Sequence, residues 1–176
     1  TTGLPPGAGV CEAGWTDIEI DADGAVSMSP TYAELCNPGM PIGEGAGAVH
    51  GITDAMVAEA LPSASVFRKI MEGADVLCAH NAEFERQFFA GGELPWLCTY
   101  KVALVLHPNL PSHRNGAIPE HLEIALDPER CAPLHRAGPD TYVTAKILQH
   151  FLADGSTIAD MVAISKKPRQ ISRMPF

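Results

Sequence analysis

Asp75-Val76-Leu77-Cys78-Ala79-His80-Asn81-Ala82-Glu83-Phe84-Glu85 changes its hydrophobic pattern halfway along, and that change decides the fold class. Residues 75–79 form an apolar run of strand length, whereas from Asn81 onward the positions Asn81, Phe84, Glu85, Phe88 and Phe89 recur at helical spacing. A buried strand running directly into a helix is the repeating unit of a layered α/β domain. The same alternation continues outward in both directions. Trp15 to Ile20 alternates apolar and polar residues, Asp21-Ala22-Asp23-Gly24 supplies a turn, and Ala25 to Met28 returns as the second arm of a hairpin. Asn37-Pro38-Gly39 and Pro41-Ile42-Gly43 read as a long irregular loop ending near Ala48 to Ile52. Thr53 is an N-cap for a helix through Ala60, and Ser63 for a second helix with the stripe Val66, Phe67, Ile70, Met71 that Gly73 closes. Leu97-Cys98 reads as a strand, Thr99 caps a helix from Tyr100 to Leu106, and further helices are expected at Glu120 to Leu126 and Ile158 to Ile164.

The 176 residues, 46% of them hydrophobic, suffice for one domain with a sizeable core, and no second-domain boundary or internal repeat interrupts residues 1–176. No apolar run is long enough to span a bilayer and residues 1–9 lack a signal-peptide pattern, so a cytoplasmic protein without membrane association is expected. Five cysteines without a C-x-x-C pair read as free buried thiols, not zinc ligands. A net charge of −9 disfavours a long nucleic-acid groove. Lys166, Lys167, Arg169 and Arg173 gather four of the twelve basic residues near the end, as a solvated tail or a phosphate contact.

Candidate chemistry lies at two junctions. In His135-Arg136-Ala137-Gly138-Pro139-Asp140-Thr141-Tyr142-Val143-Thr144, Pro139 suits a first helical position, and Asp140, Val143, Thr144, Ile147, Leu148 and Phe151 share one face. Asp140 is thereby expected on the buried face, where a carboxylate needs a partner or a metal. The competing reading is an N-terminal acid favoured by the helix dipole, beside a surface histidine. At the other junction the strand ending at Ala79 delivers Asn81 and Glu85 to the carboxyl end of the sheet, where α/β sites form. Convergent carboxylates repel, and hard oxygen donors favour two magnesium or manganese ions, which can activate water for an in-line displacement at phosphorus. His135 then suits the general-base role. His80 reads as structural, and His107, His113, His121 and His150 receive no role. Lys101 and Arg114 read as phosphate contacts or, as is usual for scattered basic residues, as solvated cations.

Taken in order, Thr1-Thr2-Gly3-Leu4, His50-Gly51-Ile52-Thr53, His80-Asn81-Ala82-Glu83-Phe84-Glu85 and His135 to Asp140 resemble the DnaQ-like (DEDDh) 3′–5′ exonucleases. The exonuclease X branch is nearer than the RNase T branch. The resemblance implies an α/β, ribonuclease H-like mixed sheet flanked by helices, and two-metal hydrolysis that releases nucleoside monophosphates from DNA 3′ ends, single-stranded or frayed. It assigns Asp140 and Glu85 to the metals, with Glu85 standing where the family usually has Asp. His135 becomes the general base, and Thr2, Gly3, Leu4, His50 and Asn81 the contacts of the terminal nucleotide. The family's first motif, Asp-x-Glu-Thr-Thr-Gly, aligns so that its two acids fall immediately before Thr1 and two residues earlier. A first strand is therefore expected beyond this sequence, as is an extension after Met174-Pro175-Phe176, and the 176-residue chain alone is expected to be weakly active or inactive. RNA trimming, a non-catalytic nucleic-acid-binding module and a homodimer are the alternatives the resemblance leaves open.

Overall fold

Asp21 closes the first hairpin. In the computed structural model, which describes residues 1–89 and 91–168, its Oδ1 accepts the backbone N–H groups of Asp23 and Ala25 at 2.9 and 2.8 Å. This pins the register of β2 (Ile18–Ile20) against β3 (Val26–Met28), with Ile18 opposite Met28. The ribbon continues past a break, where β1 (Glu12–Trp15) pairs antiparallel with β4 (Tyr32–Leu35) and Trp15 stacks on Tyr32 at 5.4 Å. β4 was not expected from sequence, since Tyr32-Ala33-Glu34-Leu35 lacks a clean alternation. The Glu34 carboxylate is instead held by Lys69 at 2.7 Å.

The presumed irregular loop contains helix α1 (Glu44–His50), despite glycines at 45 and 47. Tertiary bonds hold its start: Gly43 N–H donates to the Thr2 carbonyl at 3.1 Å and Ile42 N–H to the Asp54 carboxylate at 2.8 Å. Helix α2 (Asp54–Val57) follows Thr53 but stops short of Ala60, and Thr53 makes no side-chain cap bond. Helix α3 (Ser63–Met71) is capped by Pro62, with Ser63 its first helical residue. Gly73, at φ +74°, supplies the left-handed turn that ends it.

β5 (Leu77–Ala79) and β6 (Trp96–Cys98) pair in parallel, so the strand-to-helix reading of 75–85 holds. Helix α4 (Ala82–Glu85) is a single turn, shorter than the phenylalanine stripe implied, although hydrogen-bonded turns carry the chain on to Phe89. Helix α5 (Thr99–Leu106), the short α6 (Ile118–His121), a 3-10 turn at Pro128–Cys131, α7 (Ala137–Ala153) and α8 (Ile158–Lys166) complete the order.

The largest core cluster forms where α7 packs on α5 and α6, with α8 closing it against α5 and β6. Phe151, Ile147, Met161, Val102, Ile118 and Leu97 are fully buried there, each side chain contributing about 1.5–3 kcal/mol. Lys101 corrects its reading as a solvated cation. It is buried, pairs with Glu83 at 2.7 Å and donates to the Ser165 and Lys167 carbonyls at 3.1 and 2.8 Å, closing the end of α8. The cysteines are free, yet Cys78 is exposed and Cys131 half-buried, against the expectation of uniform burial. Lys166 ends α8, whereas Arg169, Arg173 and Met174 to Phe176 lie outside the described residues. No helix among the described residues is long and apolar enough to cross a membrane.

The strands form three separate two-stranded ladders. Among the described residues β1 is paired on one side only, by β4, and β5 on one side only, by β6, and residues of both line a single cleft of about 1550 Å³. That cleft gathers several of the candidate residues, among them Glu85, His135 and Asp140.

Candidate active site

Glu85 from α4, His135 from the loop before α7, and Asp140 from the first turn of α7 all line the cleft. Asp140 corrects the expectation of burial. The stripe it begins is buried at Val143, Ile147, Leu148 and Phe151, but its first turn projects beyond the core, leaving Asp140 exposed to the cleft. Exposure here is not full hydration. Surrounding protein desolvates the Asp140 carboxyl and pushes its pKa up, while His135 pulls it down and Glu12 pushes it further up. Glu85 is likewise exposed yet raised above the ordinary carboxylate range, first by desolvation, with Asp140 adding like-charge repulsion. Among the described residues neither carboxylate forms an ion pair within 4.0 Å, and Lys101 pairs with Glu83 instead.

The loop that delivers the pair is held from a distance. Glu12 of β1 accepts the Arg136 Nε at 2.9 Å with one oxygen and the other guanidinium nitrogen with its second, and the first oxygen also accepts Ala137 N–H at 2.8 Å. Burial alone would raise the Glu12 pKa, but these bonds outweigh it and hold the carboxyl low. Glu12 also lines the cleft, yet its oxygens are committed to this tie. Gly14 permits the close approach of α7, because a Cβ there would lie 2.6 Å from the Ala137 carbonyl oxygen. His135 adopts φ +63°, a conformation uncommon outside glycine and characteristic of constrained sites. Asn115 fixes the other side, donating to the Asp140 carbonyl at 2.9 Å and accepting from Thr144 at 3.2 Å. Neither Glu12 nor Asn115 was singled out from sequence.

The expected nucleotide contacts are more dispersed. His50 lines the cleft; Ile52 N–H donates to its Nδ1 at 3.1 Å, so Nε2 carries the proton and donates to the Thr1 carbonyl at 3.0 Å. Thr2 is buried and closes the 2–9 loop, its N–H donating to the Gly9 carbonyl at 2.8 Å and its hydroxyl accepting Gly9 N–H at 2.9 Å. Gly3 is open and Leu4 is 81% exposed. Asn81 occupies the N-cap of α4 at φ +66° and, like Thr2, Gly3 and Leu4, is not among the residues lining the cleft. His80 is a structural tie: its Nε2 donates to the His113 carbonyl and its Nδ1 accepts from Thr99, both at 2.9 Å. Burial lowers its pKa to about 4.

A smaller hollow of about 370 Å³ between Trp96 and Lys166 holds only the mutually neutralised Glu83 and Lys101 and Arg86 as further charges. Of the two hollows, the larger cleft is the one that brings carboxylates without an ion-pair partner among the described residues to the same lining as His135.

No protein-family model matches the sequence. Individual proteins do. The chain is 36% identical over 163 residues to a DNA polymerase III subunit epsilon-like protein of Rhodobacter capsulatus, covering 86% of this chain and 22% of that protein. It is 30% identical over 169 residues to exodeoxyribonuclease 10 of Escherichia coli K12, covering 96% of this chain and 74% of the relative. Among solved structures, exonuclease X in complex with 5′ overhanging duplex DNA superposes with a TM-score of 0.79 at 28% identity, over 94% of this chain and 95% of that one. The chain belongs to the DnaQ-like 3′–5′ exonuclease family and carries its ribonuclease H-like α/β fold.

Proposed function

We propose that this protein is a metal-dependent 3′–5′ exodeoxyribonuclease that releases nucleoside monophosphates from single-stranded or frayed DNA ends. The observation carrying this reading is the convergence of Glu85, His135 and Asp140 on one cleft, with the two carboxylates desolvated, mutually repelling and without a cationic side-chain partner among the described residues. Such a donor set fits a hard divalent cation, because coordination relieves both the repulsion and the desolvation. Asp140 and Glu85 are the residues that would hold magnesium or manganese. When bound, two such ions lower the pKa of water and neutralise the phosphate oxygens.

The chain's own groups supply position and proton transfer. His135 accepts the proton of the attacking water, and its exposed position before α7 gives it access to the cleft. Glu12 and Arg136 fix the loop that carries it, while Asn115 fixes the backbone of Asp140. Leu4 offers an exposed apolar surface to a terminal base, with Gly3 leaving room beside it. Thr2, His50 and Asn81 are the further contacts of this proposal, and of the three His50 lines the cleft, where it holds the Thr1 carbonyl. The open sides of β1 and β5 support one further element of this proposal, a strand seated in the cleft between them that contributes additional carboxylates.

The test uses the full-length protein on 3′- and 5′-labelled deoxy- and ribo-oligonucleotides with magnesium. Stepwise release of the 3′ label from DNA, lost in Asp140→Ala and His135→Ala, is expected. Absence of release together with absence of carboxylate-dependent manganese binding by calorimetry would identify a non-catalytic module instead.

A further inference from the structure

A second cluster of ligands lies away from the cleft. His107, at the end of α5, and His150 and Asp154, at the end of α7, bring three potential ligand atoms within 4.8 Å of one another, and none of the three residues lines the cleft. We propose that they form a separate binding site for a divalent cation of the zinc and cobalt class.

The geometry carries this. His150 and Asp154 are four residues apart and so share one helix face. His150 Nε2 and Asp154 Oδ2 stand 3.3 Å apart. Charge-assisted N–H···O bonds contract to about 2.7–2.9 Å, so this is a loose ion pair. It is instead the edge of a tetrahedron: with metal–nitrogen and metal–oxygen bonds of about 2.0–2.2 Å, adjacent ligand atoms stand about 3.3–3.5 Å apart. His107 arrives from the other helix with its backbone already fixed, its N–H bonded to the Ala103 carbonyl and its own carbonyl accepting from His113, both at 2.9 Å. Its ring stacks on Phe151 at 5.9 Å and stands 6.4 Å from the His150 ring. A side-chain rotation that moves the His107 nitrogen inward by about 1–1.5 Å completes three corners.

The donor chemistry selects the cation. Two imidazoles and one carboxylate suit zinc, cobalt or nickel, whereas magnesium prefers all-oxygen surroundings. Both histidines are half-buried and Asp154 is exposed, which leaves a fourth corner open to water. The bound cation would clasp the ends of α5 and α7, two helices that share the main core, and so stabilise the fold without touching the hydrolytic groups.

The test is cobalt(II) titration of the chain in a Glu85→Gln/Asp140→Asn background, which removes the carboxylates of the cleft. Calorimetry and cobalt d–d absorption read the stoichiometry, and the thermal midpoint with zinc reads the clasp. One equivalent is expected, with affinity at least about tenfold weaker in Asp154→Asn and in His150→Gln, and a zinc-dependent rise in midpoint lost with it. Asp154 is exposed at a helix end, so its variant folds even if His150→Gln does not. Absence of an equivalent in the cleft-deleted background would overturn the assignment. So would binding that survives His107→Gln/His150→Gln, or a sulfur-to-cobalt charge-transfer band reporting cysteine ligation.

Discussion

Glu12 and Arg136, 124 residues apart in sequence, form a two-pronged ion pair that fastens the loop carrying His135 to strand β1. The Glu12 side chain is 8% exposed and that of Arg136 24%, so the pair is shielded from water and removal of one partner strands the other. Arg136→Ala is expected to cost about 2–3 kcal/mol in urea unfolding and to lower activity at least about tenfold by releasing the loop. The pH dependence has a defined sign. Because the folded Glu12 pKa is depressed, its stabilisation is present above the unfolded value near 4.5 and is lost as pH falls through the lower folded value. Arg136→Ala should flatten this acid limb, and an unchanged limb would contradict the role given to the pair.

Glu85 and Asp140 have the opposite sign. Their folded pKa values are raised, so their contribution is favourable at low pH and is lost as pH rises through the folded values. At neutral pH without divalent cations, Asp140→Asn should therefore raise the thermal midpoint while abolishing hydrolysis. Magnesium or manganese should raise the midpoint of the unaltered protein more than that of the variant. Equal responses in the two proteins would remove Asp140 from the metal site.

Gly14 tests how tightly α7 must approach β1. A methyl group at this position meets the Ala137 carbonyl at 2.6 Å and Thr141 Oγ1 at 2.9 Å, both parts of the helix start that presents Asp140. Gly14→Ala should cost about 1–3 kcal/mol and reduce turnover more than substrate affinity.

His80 is held neutral between Thr99 and His113 with a pKa near 4. An unfolded histidine titrates near 6.5, so stability is complete above that value and declines as pH falls from 6.5 towards 4. The loss is on the order of 3 kcal/mol, and His80→Gln should remove most of this slope in acid unfolding curves. Its catalytic rate near neutrality should fall only with stability.

The layered class was legible, and Glu85 and Asp140 stood out as candidates, because both are local signals. The 75–85 junction switches period within one segment, and an acid on an otherwise apolar stripe is conspicuous at Glu85 and Asp140. The supports of the site were not local. Glu12 finds Arg136 only across the fold, and Asn115 reaches Asp140 from a loop with no periodicity. Helix α1 was hidden by its glycines, because bonds from Thr2 and Asp54 override propensity there. Asp140 was placed on the right face at the wrong depth, since periodicity gives direction around a helix but not where the core ends along it. The i, i+4 pair of His150 and Asp154 was readable, but its third member, His107, joins only through packing of α5 against α7.

The most direct measurement is the time course of a 3′-labelled single-stranded oligodeoxynucleotide incubated with the full-length protein and magnesium, beside its Asp140→Asn variant. The label is expected to leave first as a mononucleotide, and the variant to be slower by at least about a hundredfold. Release beginning at the 5′ end or within the strand, or a variant that keeps pace, would contradict the proposed function.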